Sequence, residues 1–148
     1  MAEETTNQLR VRLVTPERTL FDHTADTVEL PAKNGYFEVL YGHAPLMAEL
    51  GAGDVIIRGA AEGSETSPEG ESRYNVNWGF AEVLPDRVTI LASDALKPEE
   101  IDVPRAEQQL DRGMKMWKEA GESEAAYDEA LRVISEAEAK MASAADKK

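Results

Sequence analysis

The sequence predicts a mixed fold, β then α: an N-terminal antiparallel β-sandwich over residues 1–97, followed by a C-terminal antiparallel two-helix hairpin over residues 98–148. Three observations predict it. Apolar residues alternate, or form short runs, only in the first two thirds of the chain. All seven prolines lie at or before Pro104, and eight of the ten glycines lie before Lys97. From Arg105 onward the chain is rich in Ala, Glu, Lys and Gln, with apolar residues every three or four positions.

Taken in order, Leu9, Val11 and Leu13 alternate with Arg10 and Arg12, and Val28 and Leu30 flank Glu29. Further strand-like runs are Tyr36 to Tyr41, Asp54 to Arg58, Arg73 to Trp78, Gly79 to Leu84 and Arg87 to Ala92. Turns fall at Thr15-Pro16, Lys33-Asn34-Gly35, Gly51-Ala52-Gly53 and Pro85-Asp86, where Pro, Gly, Asn and Asp supply the dihedrals that turns need. Eight or more short strands without crossover helices predict a sandwich or barrel rather than a parallel sheet. Between Gly59 and Arg73 lie four glutamates and no large apolar residue, the composition of a solvated hairpin loop.

The helical part begins with Asp102 as a cap and Pro104 in the first turn. Val103, Ala106, Leu110, Met114 and Trp117 form its apolar stripe, and Gly121 ends it. Ser123 can cap a second helix, with Tyr127, Ala130, Leu131, Ile134, Ala137 and Met141 as its stripe, running to a frayed Lys147-Lys148 tail. The short joint from Ala120 to Ser123 implies an antiparallel pair. Ala and Met fill much of both stripes, so the pair is expected to dock on something or to move.

The 148 residues are 42% hydrophobic and 30% charged, within the range of ordinary globular chains. A formal charge of -13 opposes binding to nucleic acid or to anionic lipid. The absence of cysteine removes disulfides, thiolate metal sites and cysteine nucleophiles, and fits a reducing compartment. Met1 to Arg10 lacks the basic and apolar regions of a signal peptide, and no window supplies the roughly 20 apolar residues of a membrane helix. A soluble chain without a secretion signal is expected.

Motifs for chemistry are missing. There is no phosphate-binding Walker loop and no G-x-S-x-G elbow, and the Gly51-x-Gly53 pair has Ile56 where a dinucleotide fingerprint places its third glycine. His23 and His43 are 20 residues apart and lie in no metal-ligand spacing. No catalytic residue and no metal site is therefore expected, and an enzyme using His43 with Glu38 or Glu82 has no spacing to support it.

Several runs together carry a resemblance. They are Val14-Thr15-Pro16-Glu17 with Leu20-Phe21-Asp22; Val28, Leu30-Pro31 and Gly35; Gly42-His43-Ala44-Pro45-Leu46; Gly79-Phe80-Ala81-Glu82-Val83; Val88-Thr89-Ile90-Leu91-Ala92; and Ile101-Asp102 with Arg105-Ala106. In this order and spacing the chain resembles the epsilon subunit of bacterial rotary ATP synthases, the delta subunit of mitochondria. The resemblance implies a β-sandwich gripping the gamma subunit and resting on the membrane ring of c subunits. It also implies a helical hairpin that folds down or extends to obstruct hydrolysis, with alpha and beta subunits as its further partners.

Such a subunit catalyses nothing and sits on the cytoplasmic side of the bacterial inner membrane through its complex. By the same resemblance Asn34, Gly35, Tyr36 and Glu38 fall at the c-ring contact, with Glu38 where a glycine is usual, and His43 and Pro45 fall at the gamma interface. Some relatives bind Mg-ATP between the helices, and Ile101, Asp102, Arg105, Ala106 and Arg112 match their motif. Leu96 stands where those relatives carry an acid, and Glu136 and Lys140 stand where they carry arginines. Two functions follow: a central-stalk subunit that needs no cofactor, or a free-standing module that senses ATP between the helices. Residues 98–148 hold 13 acidic and 8 basic side chains, so weak or absent self-inhibition is expected against an acidic loop of the beta subunit.

Overall fold

The computed structural model describes residues 8–60 and 70–145. The chain forms two compact units, Met1–Ala95 and Leu96–Lys148. The first holds eight strands: β1 (Leu9–Val14), β2 (Thr19–Ala25), β3 (Thr27–Ala32), β4 (Gly35–Leu40), β5 (Leu46–Leu50), β6 (Gly53–Arg58), β7 (Glu71–Leu84) and β8 (Arg87–Leu96). They make a β-sandwich. In one layer β4 pairs with β3, β3 with β6, and β6 with the first half of β7, from Arg58 opposite Glu71 to Gly53 opposite Val76. In the other, β2 pairs with β1, β1 with β8, β8 neighbours β7, and the second half of β7 pairs with β5, from Leu50 opposite Gly79 to Leu46 opposite Val83.

All the registered pairings are antiparallel except β1 with β8, which is parallel. The alternation read from the sequence fills the space between the layers. Leu9, Val11 and Leu13 of β1, Val28 and Leu30 of β3, Val55 and Ile57 of β6, Val76 and Val83 of β7, and Val88 and Ile90 of β8 are fully buried. Each buried side chain of this size contributes about 1.5–3 kcal/mol.

Four sequence expectations change. The runs Arg73 to Trp78 and Gly79 to Leu84 are one 14-residue strand, β7, bent where Trp78 has φ 45° and Gly79 φ 133°. The bend fits because Trp78 N–H donates to Gly51 O at 3.1 Å while the chain passes from pairing with β6 to pairing with β5. β2 and β5 were not expected as strands. The loop is shorter than Gly59 to Arg73: Gly59 N–H donates to Gly70 O at 3.1 Å, and Glu71, Ser72 and Arg73 already belong to β7. The centre of that expected loop, residues 61–69, lies outside the described residues, as does the Lys147-Lys148 tail.

In the second unit a 3-10 turn, Pro98–Glu100, precedes α1 (Val103–Glu119) and α2 (Glu124–Ala145). The Asp102 carboxylate accepts from Arg105 N–H at 3.1 Å, and the Ser123 hydroxyl accepts from Ala126 N–H at 3.2 Å, so both expected caps form. Gly121, at φ 60°, follows the end of α1.

The seam between the helices keeps Ala106, Ala130 and Ala137 of the expected stripes and differs in the rest. Ala106, Gly113 and Ala120 on one side, and Ala130, Val133, Ala137 and Ser143 on the other, are buried. A Cβ built on Gly113 would lie 2.8 Å from Ile134 Cγ1 and 3.1 Å from Val133 Cγ1, so the backbones approach too closely for a larger residue. Met114, Trp117, Tyr127 and Leu131 are exposed instead, with the Trp117 and Tyr127 rings 5.9 Å apart.

Candidate interaction surfaces

On the sandwich, the residues singled out from the sequence fall along β4, an edge strand. Lys33 and Asn34 form the turn from β3 to β4, and Lys33 N–H donates to Glu49 O at 2.9 Å, tying the turn to β5. Gly35 starts β4 at φ 130°. Tyr36 is 54% exposed, yet its hydroxyl accepts from Asp54 N–H at 3.0 Å. Its ring is fixed while one face stays available.

Glu38 shares the face of β4 turned away from the core and belongs to a charged lattice. Arg58 lies 3.1 Å from Glu71, 3.4 Å from Glu29 and 3.8 Å from Glu38. Arg73 lies 3.0 Å from Asp54, which also accepts from Asn75 at 3.2 Å. Burial opposes the charge of Arg58, but the Glu71 and Glu29 carboxylates outweigh it and hold its guanidinium above the ordinary arginine value.

His43 is half-buried at the other end of β4. Its Nδ1 donates to the Ala44 carbonyl at 2.7 Å. The Phe37 ring is 6.5 Å away. Gly42 N–H donates to Pro85 O at 2.7 Å, so the loop carrying His43 and Pro45 sits against the turn from β7 to β8. Six residues of strand, about 20 Å, separate this loop from Asn34. The two groups of residues therefore occupy opposite ends of one strand.

Sequence reasoning passed over two sets of exposed apolar residues. Leu40, Tyr41 and Leu46 flank the Gly42 to Pro45 loop, and Met47 (63% exposed), Phe80 (52%) and Leu91 lie on β5, β7 and β8. Met47 is opposite Glu82, and Phe80 is opposite Glu49, so apolar and acidic side chains alternate on that face. The signal was available as apolar residues out of phase with the buried ones. Exposed large apolar residues grouped on one face and rimmed by charge mark interaction surfaces.

On the hairpin, Ile101 is buried, the Asp102 carboxylate is engaged in the cap, and Ala106 belongs to the seam. Arg105 and Arg112 are exposed on α1, and among the described residues no side-chain ion pair engages either. Among the described residues no group of three or more metal-ligating side chains forms, and no helix is long and apolar enough to cross a membrane.

The sequence pattern of the ATP synthase delta/epsilon chain β-sandwich domain matches residues 8–98. The chain belongs to the ATP synthase epsilon-chain family. It is 39% identical to the ATP synthase epsilon chain of Solibacter usitatus over 95% of this chain and 97% of that one. It is 42% identical to that of Koribacter versatilis over 74% of this chain and 71% of the relative. In fold it is similar to a chain of the Euglena gracilis mitochondrial ATP synthase OSCP/F1/c-ring structure, with a TM-score of 0.74 at 19% identity over 94% of this chain and 82% of that one. It also resembles a chain of the Tetrahymena thermophila central stalk and c-ring structure, with a TM-score of 0.52 at 18% identity over 63% of this chain and 69% of that one. The first likeness spans most of both chains and supports the arrangement of a sandwich followed by helices.

Proposed function

We propose that this chain is a non-catalytic part of the central stalk of a proton-translocating ATP synthase, coupling the c ring to the gamma subunit from the cytoplasmic side of a bacterial inner membrane. The observation that carries the proposal is likeness along nearly the whole length of an epsilon chain, at 39% identity over 97% of the Solibacter relative. The Asn34, Gly35 and Tyr36 end of β4, with Glu38, faces the c ring. The loop of His43 and Pro45, extended by exposed Tyr41 and Leu46, meets gamma.

The chemistry of these surfaces fits such work. Tyr36 and His43 are held by hydrogen bonds before any partner arrives, so little side-chain entropy is lost on docking. Partners on the catalytic side, alpha and beta, are met through the hairpin. Its acidic excess makes that contact weak and the control of hydrolysis slight.

Native mass spectrometry of the chain co-expressed with the gamma subunit of the same organism tests the reading. A one-to-one complex is expected, retained when residues after Lys97 are removed and lost in Leu46→Asp. Free chain alone at micromolar concentration, or a complex indifferent to Leu46→Asp, would overturn it.

A further inference from the structure

Asn34 and Gly35 stand together at the β3–β4 turn, and both are exposed. β3 ends at Ala32 and β4 begins at its partner Gly35, so Lys33 and Asn34 are the whole connection. Lys33 is tied down: its N–H donates to Glu49 O at 2.9 Å, and its ammonium lies 3.4 Å from the Glu49 carboxylate. Asn34 has no such tie, because among the described residues no hydrogen bond holds its side-chain amide. Beyond it, Gly35 has φ 130° and nothing within 4 Å of the place where a Cβ would stand. A free primary amide therefore lies next to a peptide nitrogen that no side chain screens, on a peptide with open space to rotate.

The asparagines of β7 are placed differently. Asn75 and Asn77 are buried, at 2% and 8% exposure, and are followed by Val76 and Trp78, whose side chains crowd the next peptide nitrogen. Asn75 is also held in the ladder opposite Asp54, to which its amide donates at 3.2 Å. Asparagine is a thermolabile residue, and the fold protects these two while leaving Asn34 open.

We propose that Asn34 is a site of spontaneous covalent modification, at which the Gly35 peptide nitrogen attacks the side-chain carbonyl carbon and converts the residue to aspartate or isoaspartate. Solvent hydroxide takes the Gly35 N–H proton and the bond from that nitrogen to Cγ forms. The bond from Cγ to Nδ2 then breaks, and the amide nitrogen takes a proton from water and leaves as ammonia. Water opens the resulting cyclic imide in one of two ways. Breaking the new bond to Cγ gives aspartate, whereas breaking the bond to the main-chain carbonyl carbon gives isoaspartate. One water is consumed and one ammonia released, with no change of oxidation state.

Either product puts a negative charge beside Lys33, where it competes with Glu49 for the ammonium. Isoaspartate also routes the main chain through Cβ, which lengthens the turn by one atom and displaces the start of β4 against Ala32. Tyr36 follows directly, with its hydroxyl bonded to Asp54 N–H. The consequence for a c-ring contact rests on the function proposed above, and the modification itself does not.

The full-length chain, folded or unfolded in urea, is incubated in warm, mildly alkaline buffer and sampled by intact mass and peptide mapping. An isoaspartate-specific methyltransferase assay is run on the same samples. The folded chain is expected to gain about 1 Da, confined to the peptide carrying Asn34 and positive for isoaspartate, while Asn75 and Asn77 stay intact. Asn34→Ser, which keeps a turn-forming residue without the amide, is expected to show no gain. An unmodified Asn34 in the folded chain, at a time when the urea-unfolded chain has largely reacted, overturns the proposal, as does no reaction in either. A gain that maps to Asn75 or Asn77 ahead of Asn34, or that persists in Asn34→Ser, overturns it as well.

Discussion

Gly35 and Gly79 form a matched pair for measuring a backbone clash. Their φ angles are 130° and 133°, in the region that L side chains rarely adopt. A Cβ at Gly35 meets nothing within 4 Å, whereas one at Gly79 would strike the Leu91 carbonyl oxygen and stand 3.0 Å from Ala92 Cα. That obstacle is the backbone of β8, clamped between β1 and β7, so it cannot swing aside. Gly35→Ala therefore loses only the conformational term, about 1–3 kcal/mol. Gly79→Ala loses that and a further overpacking cost of about 1–3 kcal/mol. Urea unfolding followed by fluorescence in a Trp117→Phe background leaves Trp78, at the bend itself, as the reporter on the sandwich. With a slope near 1–1.5 kcal/mol/M for a unit of this size, the midpoint for Gly79→Ala is expected about 0.7–3 M below that for Gly35→Ala. Equal midpoints would show that the close approach to Leu91 costs nothing, and the steric argument would fail.

Three further outcomes are expected. Gly113→Leu forces the helices apart at Val133 and Ile134 and lowers hairpin stability by about 1–3 kcal/mol, read as a loss of helical circular dichroism at lower temperature with the sandwich transition unchanged. Arg58→Ala leaves Glu29, Glu38 and Glu71 facing one another without their shared cation; a loss of about 1–2 kcal/mol is expected at low salt, shrinking as salt screens the remaining repulsion, and no salt dependence would refute the pairing. Removing the residues after Lys97 from the assembled synthase is expected to leave ATP hydrolysis nearly unchanged, and a severalfold rise would show that the acidic hairpin is an effective brake.

The sequence made the sandwich legible wherever burial alternates, as in Leu9, Val11 and Leu13. β2 was hidden because only Phe21 and Ala25 are buried along it, and half-buried His23, edge-on to Phe21 at 5.3 Å, breaks the apolar pattern. β5 was hidden because Leu46 and Met47 follow a turn and are both exposed. In the sequence Gly79 stands between two large aromatics, Trp78 and Phe80. Its meaning as a bend depended on Gly51 and Leu91, distant in sequence.

On the helices, the stripes read from the sequence caught Ala106, Ala130 and Ala137 but also took in Met114 and Trp117, while the α1 side of the seam continues through Gly113 and Ala120, small residues that hydrophobicity scales weigh lightly. The residues assigned to partners were legible only through resemblance. Among their contacts, the ties from Tyr36 to Asp54 and from Gly42 to Pro85 join segments 18 and 43 residues apart.

The unbroken course of β7 has a mechanical consequence. A strand that begins in one sheet and finishes in the other joins them by covalent bonds, so a sideways load on β5 reaches β6 along the β7 backbone and its hydrogen-bonded ladders, and β3 both that way and through the direct pairing of Ala32 with Leu50. Along β7 the ladder changes partner at the Trp78-Gly79 bend, whose compliance is limited by the bond to Gly51 and the close approach of Leu91. Strain delivered to the sandwich concentrates there, and the two layers must yield together.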